Sequence, residues 1–181
     1  MQPNYIKLPK SQITQALVQE YLDYDPVTGI LTWKKKNSKK TVIGSRAGTA
    51  IKGRCRIMQL FGNVLIEHRV IWLHYYGYMP KTHEHIDHIN HDEYDNRIQN
   101  LRLVSQKENN KNLSLRKDNA LGITGIYKIK TRKGTVSYVA EIVSNNKRYC
   151  KQSMDINKLI LWRKQMETQL GFHTNHGIAK P

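Results

Sequence analysis

The sequence is poor in cysteine and has no long apolar run. Among its 181 residues only Cys55 and Cys150 are cysteines, and they do not form a CxxC pair. This spacing argues against a structural zinc site built on cysteine and predicts two free thiols in a reducing cytoplasm. No apolar run approaches the roughly 18 residues that a membrane-spanning helix needs. The opening MQPNYIKLPK also lacks the apolar stretch of a signal peptide, so we expect a cytoplasmic protein with no membrane partner.

Acidic residues are scarce as well. Lys and Arg number 30 against 14 Asp and Glu, which gives a formal charge of +16. Such an excess predicts attraction to polyanions and binding that weakens steeply with salt. Charge alone leaves DNA, RNA and anionic lipid open. The length suits one domain or two small ones, and a hydrophobic content of 39%, with ten Tyr but only two Phe, predicts modest cores.

The first 79 residues have the pattern of a helix, several short strands and a second helix. Ser11 is predicted to cap a helix over SQITQALVQEYL. The turn formers Asp25 and Pro26, with Gly29, predict a hairpin in YDPVTGILTWK. A basic loop, KKKNSKK, and a glycine-punctuated meander follow. The stretch EHRVIWLHYY is predicted to be a helix that ends at Gly77.

Two further segments complete the chain. Between residues 80 and 120 we predict a strand over 85–89, a turn-rich loop over 90–97, a strand over 101–104 and a helix over 105–112. The pair Ser105 and Glu108 has the spacing of a capping box. From residue 121 onward the pattern predicts three strands, with hairpin turns at Lys133-Gly134 and Asn145-Asn146, and a helix over 154–170.

Residues 83–110 carry the side chains with the clearest chemistry. Asp87 and His88 are adjacent in a predicted strand, so they should point to opposite faces. Asn100 precedes the apolar second strand, and Asn109 lies in the polar helix after it. One carboxylate, one imidazole and two carboxamides on a strand, a loop and a helix could converge on one hard cation. Such a set suits metal-dependent attack on phosphate and predicts a nuclease.

The same residues resemble the HNH endonucleases, most closely the phage and intron-associated group that includes many homing endonucleases. The resemblance is carried by Asp87 to Asn90, by the run DNRIQNLR at residues 95–102, by Ser105 and by ENN at residues 108–110. The segments YDPVTGILTW, Ala47-Gly48 and His68 to Trp72 are similar to the sequence that often precedes HNH in these proteins. The tail from Gly125-Ile126-Tyr127 is similar to a divergent AP2 domain.

This resemblance implies an α+β fold with three parts. Residues 1–79 would form a β-rich segment with helices that contacts DNA. Residues 80–120 would hold the ββα-metal (HNH) catalytic motif and a linker. Residues 121–181 would form an AP2-like DNA-binding domain of three strands and a helix. The implied function is that of a site-specific, homing-type DNA endonuclease, acting as a monomer on double-stranded DNA in the cytoplasm, that of the host if the gene is phage-borne.

The resemblance also assigns roles to individual residues. His88 would be the general base, since imidazole is the side chain whose ordinary pKa lies nearest neutrality. Asn100 would orient it by accepting a hydrogen bond from the other ring nitrogen. Asp87 and Asn109 would bind one Mg²⁺ or Mn²⁺ ion, because hard cations prefer oxygen ligands.

DNA contacts are expected from basic side chains in four places: the basic loop KKKNSKK, the turn-rich loop over 90–97, the linker and the C-terminal sheet. Contacts of this kind with phosphate give affinity without sequence information, whereas a sheet in the major groove can read base edges. The candidates are Lys34, Lys35, Lys36, Arg97, Lys107, Lys111, Arg116, Lys128, Lys130, Arg132, Lys133 and Arg148. For Arg97 two roles are open, contact with phosphate or tying down its own loop. For the sheet residues a solvated charged face is an equal alternative.

Other interpretations stay open at this point. Asn96 is interpreted as a structural turn residue. His83, His85 and His91 suggest zinc, but no cysteine joins them and structural sites made of imidazoles alone are uncommon. A non-catalytic DNA-binding regulator on an HNH scaffold is the main alternative function, against which the intact Asp87, His88 and Asn109 argue. An RNA-binding module would fit the charge but not the spacing of these residues.

Overall fold

The N-terminal helix is shorter than its sequence pattern predicts. In the computed structural model it spans Gln15–Tyr21 (α1), and its N-cap is Thr14, whose side chain accepts a hydrogen bond from the Leu17 amide. Ser11, predicted to be the cap, lies instead in the 3-10 turn Lys10–Gln12. The short helix is fixed by packing, since Val18 is fully buried.

The predicted hairpin follows directly. Strands Leu22–Asp25 (β1) and Ile30–Trp33 (β2) pair antiparallel. The Asp25 carboxylate closes the turn by accepting hydrogen bonds from the Val27 amide at 2.9 Å and the Thr28 hydroxyl at 2.7 Å. These bonds lower the pKa of Asp25, the Thr28 contact being the larger cause.

The basic loop after this hairpin is anchored to a small sheet. That sheet has strands Thr49–Ala50 (β3), Arg56–Leu60 (β4) and Asn63–Ile66 (β5), in the order β3-β4-β5. The Asn37 amide donates to the Gln59 carbonyl, and its side-chain oxygen accepts from the Phe61 amide at 2.9 Å. The lysines around Asn37 therefore extend from a fixed loop.

The predicted second helix and the predicted catalytic hairpin come next. The helix spans Glu67–Tyr76 (α2) and ends at Gly77. Strands Glu84–His88 (β6) and Leu101–Ser105 (β7) pair antiparallel. The helix predicted over 105–112 is only one turn, Gln106–Asn109 (α3), and continues as a 3-10 turn.

One hydrophobic core joins these elements. It takes side chains from α1, both N-terminal hairpins, α2 and β7, including Val18, Leu31, Leu60, Ile71 and Leu101. Residues 1–106 accordingly form one compact unit and residues 107–181 a second. This differs from the expected three-part division, because the segment before residue 80 shares its core with the hairpin after it.

The second unit contains the predicted three strands and helix. The strands are Ile126–Lys130 (β8), Val136–Ser144 (β9) and Lys147–Ser153 (β10), in the antiparallel order β10-β9-β8, and the helix is Ile156–Gln169 (α4). Leu159 of the helix packs on the sheet. The predicted Asn-Asn turn is present, with both residues at positive φ.

The structure describes residues 5–52, 55–130 and 134–180. Arg132 and Lys133, and with them part of the predicted Lys133-Gly134 turn, lie outside the described residues. In these ranges no helix is long and apolar enough to cross a membrane.

Candidate active site

The end of β6 carries the two residues predicted to do the chemistry. Asp87 lies opposite Arg102, and His88 lies opposite Leu101. Both side chains are largely buried, with Asp87 9% and His88 7% exposed. They are thus held by neighbours on both faces of the hairpin, and those neighbours decide what each group can do.

Asp87 is ion-paired across the hairpin. The Arg102 guanidinium donates two hydrogen bonds to Oδ2 of Asp87, from Nε at 2.9 Å and from Nη2 at 2.7 Å. A buried carboxylate without a partner is costly, so the arginine stabilises its charge. The sequence offered Arg102 only as part of an apolar strand, and the antiparallel register is what identifies it as a partner.

The His88 ring is held by Asn96. Its Nε2 lies 2.9 Å from Oδ1 of Asn96, and Asn96 is almost completely buried. Asn100, predicted to orient His88, makes its side-chain hydrogen bonds elsewhere. The orienting contact therefore belongs to Asn96, and the prediction that Asn96 is only a turn residue is corrected.

Asn100 organises the loop between the two strands. Its amide nitrogen donates to Oδ1 of Asn90 at 2.9 Å and to the Asp95 carbonyl at 2.8 Å, while its side-chain oxygen accepts from the Asn90 backbone amide. A side chain that ties both ends of a loop fixes the loop's shape. Asn100 thus fixes the conformation of the loop that places Asn96 beside His88.

A buried carboxylate on the helix α2 completes this arrangement. Oε1 of Glu67 accepts from the Asn96 amide at 3.3 Å, and Oε2 accepts from Arg56 Nε at 2.8 Å. The guanidinium groups of Arg56 and Arg46 both lie beside this carboxylate, whose oxygens act as hydrogen-bond acceptors. The Asn96 nitrogen must therefore face Glu67, which turns its oxygen to His88. In the neutral ring Nε2 then carries the hydrogen, and Nδ1 has the lone pair.

A second histidine packs against the His88 ring. His68 lies edge-on at 5.0 Å between ring centroids. Burial, with smaller contributions from His88 and Arg69, lowers the pKa of His68 to about 3. His68 is consequently neutral at physiological pH and adds no charge beside the candidate base. This neighbour follows from helix packing and had no signal in the sequence beyond the family pattern.

The upstream hairpin supports the loop from the other side. The buried Tyr24 hydroxyl donates to the Asn96 carbonyl at 2.9 Å, and burial raises the pKa of Tyr24. Gly29 has a φ of +73°, and a Cβ there would lie 2.4 Å from the Arg97 backbone nitrogen. The β1–β2 hairpin thus contacts and supports the backbone of the candidate catalytic loop.

Several basic side chains predicted to bind DNA are engaged with protein in the first unit. Arg97 forms a two-point ion pair with Asp95, at 2.7 and 2.6 Å, which lowers the pKa of Asp95. Lys34 donates to the Gln19 carbonyl, and Lys35 to Glu20. This ion pair is consistent with the second of the two roles considered for Arg97, that of tying down its own loop. Lys36 is exposed.

The basic residues of the second unit fall into different environments. The Lys111 ammonium donates to the Leu170 carbonyl at the end of α4, a helix-capping role. Arg116 pairs with Asp118 on the surface, Arg148 pairs with Glu141, and Lys107 is exposed. Lys128 and Lys130 are exposed but share the strand parity of Ile126, which packs under the helix. The expected basic face of the sheet is thus divided between its two sides.

The remaining predicted ligands are placed as follows. Asn109 is the last residue of α3 and belongs to the second unit. No group of three or more His, Cys, Asp or Glu side chains in the described part of the chain could hold a metal ion. The zinc interpretation of His83, His85 and His91 accordingly gains no support from the structure.

Comparison with known protein families gives a match in this region. Residues 67–111 match the model of the HNH endonuclease family. The matched region begins at Glu67 and contains His68, the β6–β7 hairpin and Asn109. No curated protein and no solved structure matches the chain. The match supports an HNH endonuclease domain, and with it nuclease activity on DNA.

Proposed function

We propose that this protein is a site-specific, homing-type endonuclease that hydrolyses phosphodiester bonds of double-stranded DNA, with His88 as the general base. The observation that carries the proposal is the His88–Asn96 contact beside Asp87, inside the segment that matches the HNH family. A buried imidazole with a fixed ring and a defined lone pair is suited to take a proton from water.

The chemical step can be written for this site. His88 Nδ1 takes a proton from a water molecule as the water oxygen forms a bond to phosphorus. The bond from phosphorus to the 3′ oxygen breaks, leaving a 5′ phosphate and a 3′ hydroxyl once that oxygen gains a proton from solvent. His88 then releases its proton to solvent. Because the ring is fixed, Nδ1 keeps one orientation toward the attacking water, which lowers the entropic cost of the step.

The donor set suits a hard divalent cation. Asp87 offers carboxylate oxygen and Asn109 a carboxamide oxygen, both favoured by Mg²⁺ and Mn²⁺. We propose these two residues as protein ligands, with water and phosphate as the others. When bound, such an ion neutralises charge on the phosphate and on the leaving oxygen. Arg102 donates two hydrogen bonds to Oδ2 of the same Asp87 carboxylate.

The second unit is proposed to be an AP2-like DNA-binding domain. Its three antiparallel strands followed by a helix have the order expected of such a domain. The exposed Lys128 and Lys130 on β8, together with Arg116 and Lys117 before it, would supply phosphate contacts. We propose that the protein acts as a monomer, with the second unit providing affinity and the hairpin providing chemistry.

A second function has one specific observation in its favour. The Asp87–Arg102 ion pair engages the carboxylate that would bind the metal. If the guanidinium keeps that carboxylate, the protein would bind DNA without cutting it and act as a regulator on an HNH scaffold. Metal dependence separates the two functions.

Removal of divalent metal is expected to stop DNA cleavage. The protein should nick or linearise supercoiled plasmid DNA in the presence of Mg²⁺ or Mn²⁺, lose this activity in EDTA, and regain it when the metal is returned. Agarose gels follow the reaction, and gel shifts in EDTA should show that DNA binding persists. Binding without cleavage under every metal condition would favour the regulator and overturn the nuclease.

Replacement of Asn109 by alanine is expected to weaken the binding of the metal ion rather than the binding of DNA. We expect the Mg²⁺ concentration for half-maximal cleavage to rise by about 10- to 100-fold, with partial rescue by excess Mn²⁺. Plasmid nicking across a metal titration measures this effect. The neighbouring Asn110→Ala variant is the control. An unchanged metal requirement in Asn109→Ala would remove Asn109 from the ligand set.

A further inference from the structure

Glu67 is the most deeply buried charged side chain near His88. It is fully inaccessible to solvent and is the first residue of α2. We infer that Glu67 is a positioning residue, which acts through Asn96 to hold the His88 ring in one orientation and one tautomer. The inference rests on the proposed function, because it assigns Glu67 a part in that reaction.

The Glu67 carboxylate is surrounded by positive groups. Arg56 donates from Nε at 2.8 Å, and the Arg46 guanidinium lies 3.7 Å from the other carboxylate oxygen. The N-terminal end of a helix also favours a negative group. Two arginines and a helix terminus together offset the cost of burying one carboxylate.

The contact with Asn96 uses this charge. An amide side chain can rotate to present either its oxygen or its nitrogen, and only its partners decide between them. Glu67 accepts from the nitrogen at 3.3 Å, while His88 lies 2.9 Å from the oxygen. Reversing the amide would place its oxygen against the carboxylate, which is repulsive. One charged group therefore fixes two hydrogen bonds in sequence.

The fold makes close-fitting room for this carboxylate. Gly48 has a φ of +81°, and a Cβ there would lie 2.3 Å from Oε2 of Glu67. Arg56 also donates to the Gly48 carbonyl at 3.0 Å. Gly48 thus has a local explanation, because it leaves the space that the Glu67 carboxylate occupies.

A purely structural salt bridge would contain the same charges, so the test must separate folding from chemistry. Glu67→Gln keeps the shape but removes the charge that orients Asn96. We expect kcat for plasmid nicking to fall by about 10- to 100-fold, with unchanged DNA affinity. Nitrogen-15 spectra of the imidazoles, taken where His88 is neutral, should change from the Nε2–H tautomer to a mixture. The His88 signals are identified by their loss in His88→Ala.

Three further variants sharpen the result. Glu67→Asp keeps the charge near the arginines but shortens the reach to Asn96, so it should show the same tautomer mixing even if Glu67→Gln folds poorly. Asn96→Ala should lose as much activity as the Glu67→Gln/Asn96→Ala double variant, because the two residues act in one chain. Met58→Ala changes a buried residue on β4, the strand that also carries Arg56. It should lower thermal stability while keeping kcat and the Nε2–H tautomer of His88.

The outcomes are distinct. Retention of both kcat and the Nε2–H tautomer in Glu67→Asp or Glu67→Gln would overturn the inference. If Met58→Ala, at a comparable loss of stability, shows the same decrease in kcat and the same tautomer mixing as Glu67→Gln, Glu67 is structural and the inference also fails. If the wild-type protein cuts no DNA, the proposed function fails, whereas the tautomer spectra still decide whether Glu67 positions His88.

Discussion

Replacing His88 by alanine is expected to lower the rate of DNA cleavage by roughly 10²- to 10⁴-fold, the usual contribution of a general base. The physical reason is that, in the proposed reaction, Nδ1 of His88 accepts the proton from water. Single-turnover nicking of plasmid DNA at saturating Mg²⁺ measures the chemical step. DNA affinity, measured by gel shift, should stay within a few-fold of wild type.

A matched control lies on the same strand. His85 is half-buried on β6, three residues before His88, and takes no part in the proposed reaction. His85→Ala should therefore keep the wild-type rate, and the pair of variants also tests whether His85 binds an essential metal. Cleavage by His88→Ala at the wild-type rate would remove His88 as the base and leave the site without a proton acceptor.

The local structure around the site could be predicted from the sequence to a large extent. Hydrophobic alternation, Gly77 and the turn residues identified both hairpins and the helix α2. These features depend on residues close in sequence, whose backbone preferences act directly. The exact ends were less certain, as at α3, where a capping box predicted two turns and the chain forms one.

The partner of His88 could not be predicted in the same way. Asn96 and Asn100 are both carboxamides in one loop, and either could reach an imidazole in an extended chain. The choice is made by Glu67, which lies 29 residues from Asn96 in the sequence. The sequence around a charged residue at the start of a helix does not indicate which loop it will contact, since only the tertiary packing brings the two together.

The basic residues illustrate the same limit. Composition predicted a protein for polyanions, but it could not tell which lysines face solvent. Lys111 binds a helix end, and Arg97 binds its own loop through Asp95. Lys128 and Lys130 share the strand parity of a core residue although they are exposed. The charge count predicts the kind of partner, a polyanion. Which basic side chains are available to that partner depends on strand register and on contacts with helix ends, which the composition does not show.

Gly29→Ala is expected to damage both stability and catalysis. The φ of +73° would cost an L-residue about 1–2 kcal/mol, and the new Cβ would also meet the backbone of Asn96 and Arg97 at 2.5 and 2.4 Å. Backbone cannot rotate away as a flexible side chain can, so overpacking should add about 1–3 kcal/mol. Urea unfolding followed by circular dichroism measures the total.

Gly44→Ala separates these two contributions. Gly44 has a similar φ of +79°, but nothing lies within 4 Å of a Cβ built there. It should show the backbone cost alone and keep its nuclease activity. Gly29→Ala should lose more stability and, at temperatures where it is still folded, also lose cleavage, because a displaced Asn96 no longer holds the His88 ring. Equal losses of stability and of cleavage in the two variants would mean that the β1–β2 hairpin does not support the loop between β6 and β7.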